Sequence, residues 1–177
     1  MSDMWTDDAN DPRTYGNPQG EKATVGEYLE NYRLTLRMKC EGLTPEQLAT
    51  RSVPPSSMSL LGLVRHLARV EHHWFWRIAM GHDEPRIYAG DADFDGAVGT
   101  QECVDDAWAA YDAQVARAQE WFAALDEADL GRELPMPDHD GEVVSVRDLL
   151  VHMVEEYARH LGHADLLREC IDGRVGQ

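Results

Sequence analysis

The segment SVRDLLVHMVEEYARHLGHADLLREC, residues 145–170, places three histidines and a glutamate on one side of a helix. His152, Glu156 and His160 follow one another at i, i+4 spacing and form a nearly axial column. His163, three residues beyond His160, falls back into the same sector. One helical turn rises about 5.4 Å, so neighbours in the column can share an ion; His152 and His160, about 12 Å apart along the axis, cannot. A zinc-type centre needs neutral imidazole nitrogens and ionised carboxylate oxygens converging at roughly 2.0–2.2 Å. Glu156 and His160 make a rigid half-site, and the remainder must come from a facing helix, as in other bundle metal sites. The run SLLGLVRHLARVEHHWFWR, residues 59–77, offers His66. It shares a sector with Leu63, Val70 and His73, where a buried imidazole needs a partner.

The same spacing also suits a buried or interfacial Glu–His ion pair, and spacing alone leaves both readings open. His163 extends His160 into an HxxH pair that can chelate, as a fourth ligand or as a group behind the ligands. His152 reads as a surface residue or a hydrogen-bonding neighbour. His72 and His73 are adjacent, so they cannot both face inward. His82 and His139 read as ordinary loop residues.

Four long helical patterns must position these groups. The first is predicted from Thr24, where Thr24 and Glu27 fit a capping box, to Gly42. A turn follows at TPEQLA, and Pro54-Pro55 must be loop. The second pattern spans Ser57 to Met80, with Ser56, Ser57 or Ser59 as cap and Gly81 as stop. Its apolar residues surround most of the cylinder, so it is central or buries a face against another subunit. Residues 81–99 form an uncommonly long connection, of the kind that is often functional or mobile. The third pattern runs from Thr100 to Leu125. Residues 131–144, with the Asp140-Gly141 turn dipeptide, suggest a small hairpin-like excursion. The fourth opens at Ser145, continues through Ile171 and stops at Gly173. The result is an all-α four-helix bundle. Residues 1–20 are a loose arm that packs down through Trp5 or Tyr15, and 21–177 form the domain.

At 177 residues the chain suffices for one ordinary core. Acids outnumber bases 33 to 16, for a formal charge of -17. Such a surface repels phosphate backbones, so nucleic acid is an unlikely partner. The cysteines Cys40, Cys103 and Cys170 are odd in number, widely spaced and outside any CxxC arrangement, which argues against a disulfide framework and fits a reducing cytoplasm. The acidic, polar start is not a signal peptide, and no apolar run has the length of a membrane span. No GxSxG elbow or Gly-rich phosphate loop is present, so serine-hydrolase and nucleotide chemistry have no motif support.

Residues 59–77 together with VRDLLVHMVEEYARHLGHADLLRECIDG, residues 146–173, resemble the DinB/YfiT-like superfamily of metal-binding bundles. Within it they are similar to the actinobacterial mini-circle-protein branch, and the likeness spans about residues 24–174. The resemblance implies an up-down-down-up bundle, frequently a homodimer. It implies a metal triad of one histidine on the second helix and two i, i+4 ligands on the fourth, which by position are His66, Glu156 and His160. Many members have histidine where this chain has Glu156. The mycothiol-dependent maleylpyruvate isomerase branch shares the His, Glu, His set, but it carries a second domain for which this chain is too short.

Two histidines and a carboxylate suit Zn2+ and also Fe2+, with Ni2+ or Mn2+ as further occupants. The resemblance implies an enzyme in which the metal helps a low-molecular-weight thiol of the mycothiol type attack a small electrophile. Alternatives are a metal-dependent hydrolase and a non-catalytic metal-binding or dimerising module. Trp74, Trp76 or Tyr157 would line the pocket. A shell closed by His163 would argue for a structural ion; three ligands facing a pocket would argue for catalysis.

Overall fold

The computed structural model of the chain describes residues 11–137 and 141–176. Helix α1 spans Glu21–Cys40, α2 is the single turn Pro45–Leu48, and α3 runs Leu60–Glu71 and continues as a π-helix over His72–Ala79. Helix α4 is Gln101–Ala123; strands β1, Glu133–Pro135, and β2, Val143–Ser145, then precede α5, Val146–Asp172.

Caps explain most of these limits. The hydroxyls of Ser59, Thr100 and Ser145 accept hydrogen bonds from the backbone N–H of Gly62, Cys103 and Asp148, satisfying first-turn donors. Thr44 and Gln47 make a reciprocal capping box on α2. Gly173 ends α5 in the left-handed region, at φ 79°.

Two limits differ from expectation. Helix α1 begins at Glu21, one turn before Thr24, whose hydroxyl instead donates to the Gly20 carbonyl at 2.7 Å. The cap comes from elsewhere in the chain: the Glu127 carboxylate accepts the N–H of Glu21 at 2.6 Å and lies 3.3 Å from the N–H of Lys22. The second long helix starts at Leu60 rather than Ser57 and does not stay α-helical to Met80. From His72 its bonding widens, as in Met80 N–H to the Phe75 carbonyl at 3.0 Å. The wider turn accommodates the aromatic run, with Phe75 packed on Trp121 at 5.6 Å and Trp74 on His152 at 4.6 Å.

Side-chain pairs give the topology. Glu21–Arg147 and Lys39–Asp165 join matching ends of α1 and α5, so these helices are parallel. Arg65–Asp106 and Phe75–Trp121 make α3 and α4 parallel. His66–His160 and Trp74–His152 make α3 and α5 antiparallel. The bundle is therefore up-down-down-up. Consecutive parallel helices need a connection that returns along the whole helix, which accounts for the length of the 81–99 crossover. Helix α3 is central: Leu60, Leu61, Leu63, Val64, Leu67 and Ala68 are all buried within the one chain. The hairpin pairs Leu134 with Val144 and buries both against the bundle.

Residues 11–19 carry no helix or strand, yet they are tied to α1. Buried Arg13 pairs with Asp11 and donates to Thr35, and Asn31 bonds both backbone groups of Thr14. Tyr15 is not the anchor, being 66% exposed. Trp5, His139 and Asp140 lie outside the described residues.

The four long helices also share one buried polar network. Glu71 on α3 accepts from Arg33 on α1 at 2.9 and 3.0 Å and from the Tyr157 hydroxyl on α5 at 2.7 Å. Tyr157 meets Tyr111 on α4 at 2.9 Å. Burial is the largest influence and disfavours the Arg33 cation, but Glu71, Tyr157 and Tyr111 together outweigh it and hold the guanidinium pKa above its ordinary value. A satisfied network of this kind fixes how the helices sit against one another.

Candidate metal centre

Antiparallel packing of α3 on α5 brings His66 opposite Glu156 and His160. Oε2 of Glu156 lies 3.7 Å from Nε2 of His66 and 3.4 Å from Nε2 of His160. One ligand atom from each of the three residues lies within 4.8 Å of the others. Tetrahedral ligands held about 2.0–2.1 Å from a zinc ion stand about 3.3 Å apart, so small side-chain shifts suffice to close the set. The three side chains keep 12–17% of their surface exposed, so the cluster is sunk yet reachable.

Two features fit a cation. Nε2 of His66 is buried and has no hydrogen-bond partner. An orphaned buried nitrogen is costly, and a metal would satisfy it. The His160 imidazole, and then that of His66, hold the Glu156 carboxyl well below the usual carboxylate range, although partial burial acts the other way. Glu156 is thus an anion ready to ligate.

The other histidines divide cleanly. Nδ1 of His163 lies 3.3 Å from Nδ1 of His160, on the side away from the Nε2 that faces Glu156. His163 therefore stands behind His160 and is outside the cluster. Its pKa is lowered by burial and then by His160. His152 is one-third exposed, packs on Trp74 with the rings tilted at 56°, and sets Nε2 3.5 Å from Oε1 of Glu156. His72 is buried and His73 partly exposed, as adjacency requires.

Tyr157 does not line a pocket: it is fully buried in the polar network, because its side chain leaves α5 on the core side of Glu156. Trp76 stacks on His82 at 3.5 Å and donates to Glu84, away from the cluster. Trp74 does border it through His152. The crossover adds two residues that spacing did not reveal. Oδ2 of Asp93 lies 2.9 Å from Nδ1 of His66, and the Phe94 ring stacks on the His66 ring at 5.3 Å. Gly62 makes room for Phe94, since a Cβ there would stand 2.8 Å from the ring. No periodicity links a loop to a helix 27 residues earlier; the length of the crossover was the one available signal.

An up-down-down-up bundle with a His, Glu, His cluster between α3 and α5 is a DinB-like architecture. A crystal structure of a conserved Enterococcus faecalis protein shares this fold, with a TM-score of 0.62 at 17% identity over 88% of this chain and 99% of that one. The sequence profile of the mycothiol-S-transferase family matches residues 24–173, and the chain belongs to that family. Comparison with curated proteins gives no match. Among the described residues no helix is long and apolar enough to cross a membrane.

Proposed function

We propose that the protein is a metal-dependent S-transferase that joins a small thiol of the mycothiol type to a small electrophile. The observation that carries this reading is the convergence of His66, Glu156 and His160 around a buried imidazole nitrogen without a partner. These three residues would hold the cation, Zn2+ by ligand chemistry, with Fe2+, Ni2+ or Mn2+ as competitors. A bound divalent cation lowers the pKa of a thiol that reaches it and so supplies thiolate at neutral pH.

The rest falls to the chain. The single carboxylate and two imidazoles leave net positive charge at the centre, which favours an anionic sulfur. Placement of His163 behind His160 leaves a position for substrate, which favours catalysis over a closed structural site. Phe94 stacks on His66, and Trp74 packs on His152 beside Glu156, so apolar rings at the edge of the cluster would limit water around the nucleophile. The sulfur forms a new S–C bond, the leaving group departs with the bonding electron pair, and the thiol proton passes to water.

The test pairs elemental analysis with thiol consumption by metal-loaded and chelated protein, using mycothiol and a panel of alkylating electrophiles. Metal-dependent thiol loss is expected. Bound metal without thiol loss across the panel would leave only a metal-binding module, and absence of metal would remove the centre itself.

A further inference from the structure

We propose that Asp93, on the 81–99 crossover, is the positioning residue of the metal centre: its carboxylate accepts the Nδ1–H of His66 and so fixes the tautomer that turns a free Nε2 toward Glu156 and His160. The inference rests on the metal-centre reading above.

The geometry of Asp93 is unusual for a loop residue. It is 1% exposed. Burying a carboxylate is costly unless it is paired and hydrogen-bonded. Here both oxygens are engaged. Oδ2 lies 2.9 Å from His66 Nδ1 and 2.8 Å from Arg69 Nη2, and Oδ1 accepts the N–H of Phe94 at 3.0 Å; Arg69 Nη2 also stands 3.3 Å from His66 Nδ1, but the closer anionic Oδ2 is the stronger partner and favours a proton on Nδ1. The backbone around it is clamped as well. Arg65 donates to the carbonyls of Ala92 and Asp93, and Arg69 to that of Gly90. The Phe94 ring fills the space that Gly62 leaves. The crossover is thus docked on α3 so that one carboxylate meets one imidazole nitrogen.

The consequence follows from imidazole chemistry. A neutral ring carries one proton, and the nitrogen opposite the hydrogen bond keeps the lone pair. With the proton on Nδ1 facing Asp93, Nε2 is the ligand atom, and it is buried with no hydrogen-bond partner among the described residues. A carboxylate behind a ligating histidine also raises its basicity and holds the ring plane. Among the described residues, Nδ1 of His160 faces His163 and not a carboxylate. Asp93 therefore acts on one ligand only, through a loop that the bundle topology made long.

The test uses the full chain, zinc titrated against a competing chelator, and ring 15N spectra of histidine-labelled protein. Asp93→Ala should weaken zinc binding about 10–100-fold. Asp93→Asn, whose amide oxygen still accepts the Nδ1–H, should lose less. In metal-free wild type, His66 should be the Nδ1–H tautomer, and in Asp93→Ala it should shift toward Nε2–H. Loosening of the crossover alone would not move that signature in this graded order. Folded Asp93→Ala that binds zinc as tightly as wild type, or that keeps the Nδ1–H tautomer, overturns the role of Asp93 and leaves the centre standing. Wild type that binds no zinc overturns both.

Discussion

Glu71→Ala should cost about 3–5 kcal/mol of folding stability and weaken zinc binding as well. Glu71 is fully buried and receives three hydrogen bonds, two from Arg33 and one from Tyr157. Truncation leaves the Arg33 guanidinium, whose side chain is 8% exposed, as a buried charge without its counterion. That uncompensated charge sets the 3–5 kcal/mol. Tyr157→Phe, which removes one hydrogen bond to a charged group, should cost about 1.5–3 kcal/mol. For a chain of this size each kcal/mol lowers Tm by about 2–4 °C, so Glu71→Ala should lose roughly 6–20 °C. The double variant Arg33→Met with Glu71→Leu removes both charges and should be more stable than Glu71→Ala alone. Urea unfolding followed by far-UV circular dichroism at pH 7, with chelator present, measures these differences free of metal linkage. Zinc binding should fall because Glu71 and Tyr157 fix α3 against α5, five residues from His66 and one from Glu156. A Glu71→Ala cost below about 1 kcal/mol, the range of surface pairs, would refute the reasoning, as would a double variant no better than the single.

Three further outcomes are expected. His66→Ala and His160→Ala should each cut bound metal sharply in elemental analysis, whereas His163→Ala should keep near-wild-type stoichiometry; full occupancy in the first two would remove the centre. Glu156 has a depressed carboxyl pKa in the folded state. Its contribution to metal-free stability is therefore complete above the unfolded carboxylate pKa, about 4.3, and is lost as pH falls toward the folded value. Glu156→Gln should accordingly flatten stability between about pH 5 and 3, and an unchanged acid limb in urea titrations would contradict this. Glu127→Ala should destabilise by about 0.5–2 kcal/mol, because its carboxylate caps α1; a neutral effect in thermal unfolding would assign that cap to Gly20 and solvent.

Local signals were strong where chemistry and structure are local. Ser59, one of three serines able to cap the second helix, and Ser145, where the fourth opens, were legible as helix starts, because a side chain reaches its own first turn. Along α5, Val146, Leu149, Leu150, Met153, Tyr157, Ala164 and Leu167 recur at helical spacing, and all are buried. The Glu156–His160 half-site was legible because i, i+4 spacing is itself a geometric statement about one helix, whereas His66 entered as a candidate from the facing helix and by the family resemblance. The start of α1 was not, since its cap is Glu127, 106 residues from Glu21. The π-helix after Glu71 was not either, because its widened turns answer to aromatic packing against α4 and α5.

By itself, then, the sequence determined four long helices and a Glu156–His160 pair one turn apart on the last of them, with His66 as the candidate partner from a facing helix. Helical periodicity and capping act within a few residues and are written in the local order of side chains. Tertiary structure alone decided three things: that the Tyr157 hydroxyl meets Glu71 and Tyr111, that His163 stands behind His160, and that Asp93 reaches His66. Each depends on the rotation and register of α3 against α5 and on where a long crossover docks. Those are properties of packed surfaces, and no local spacing encodes them.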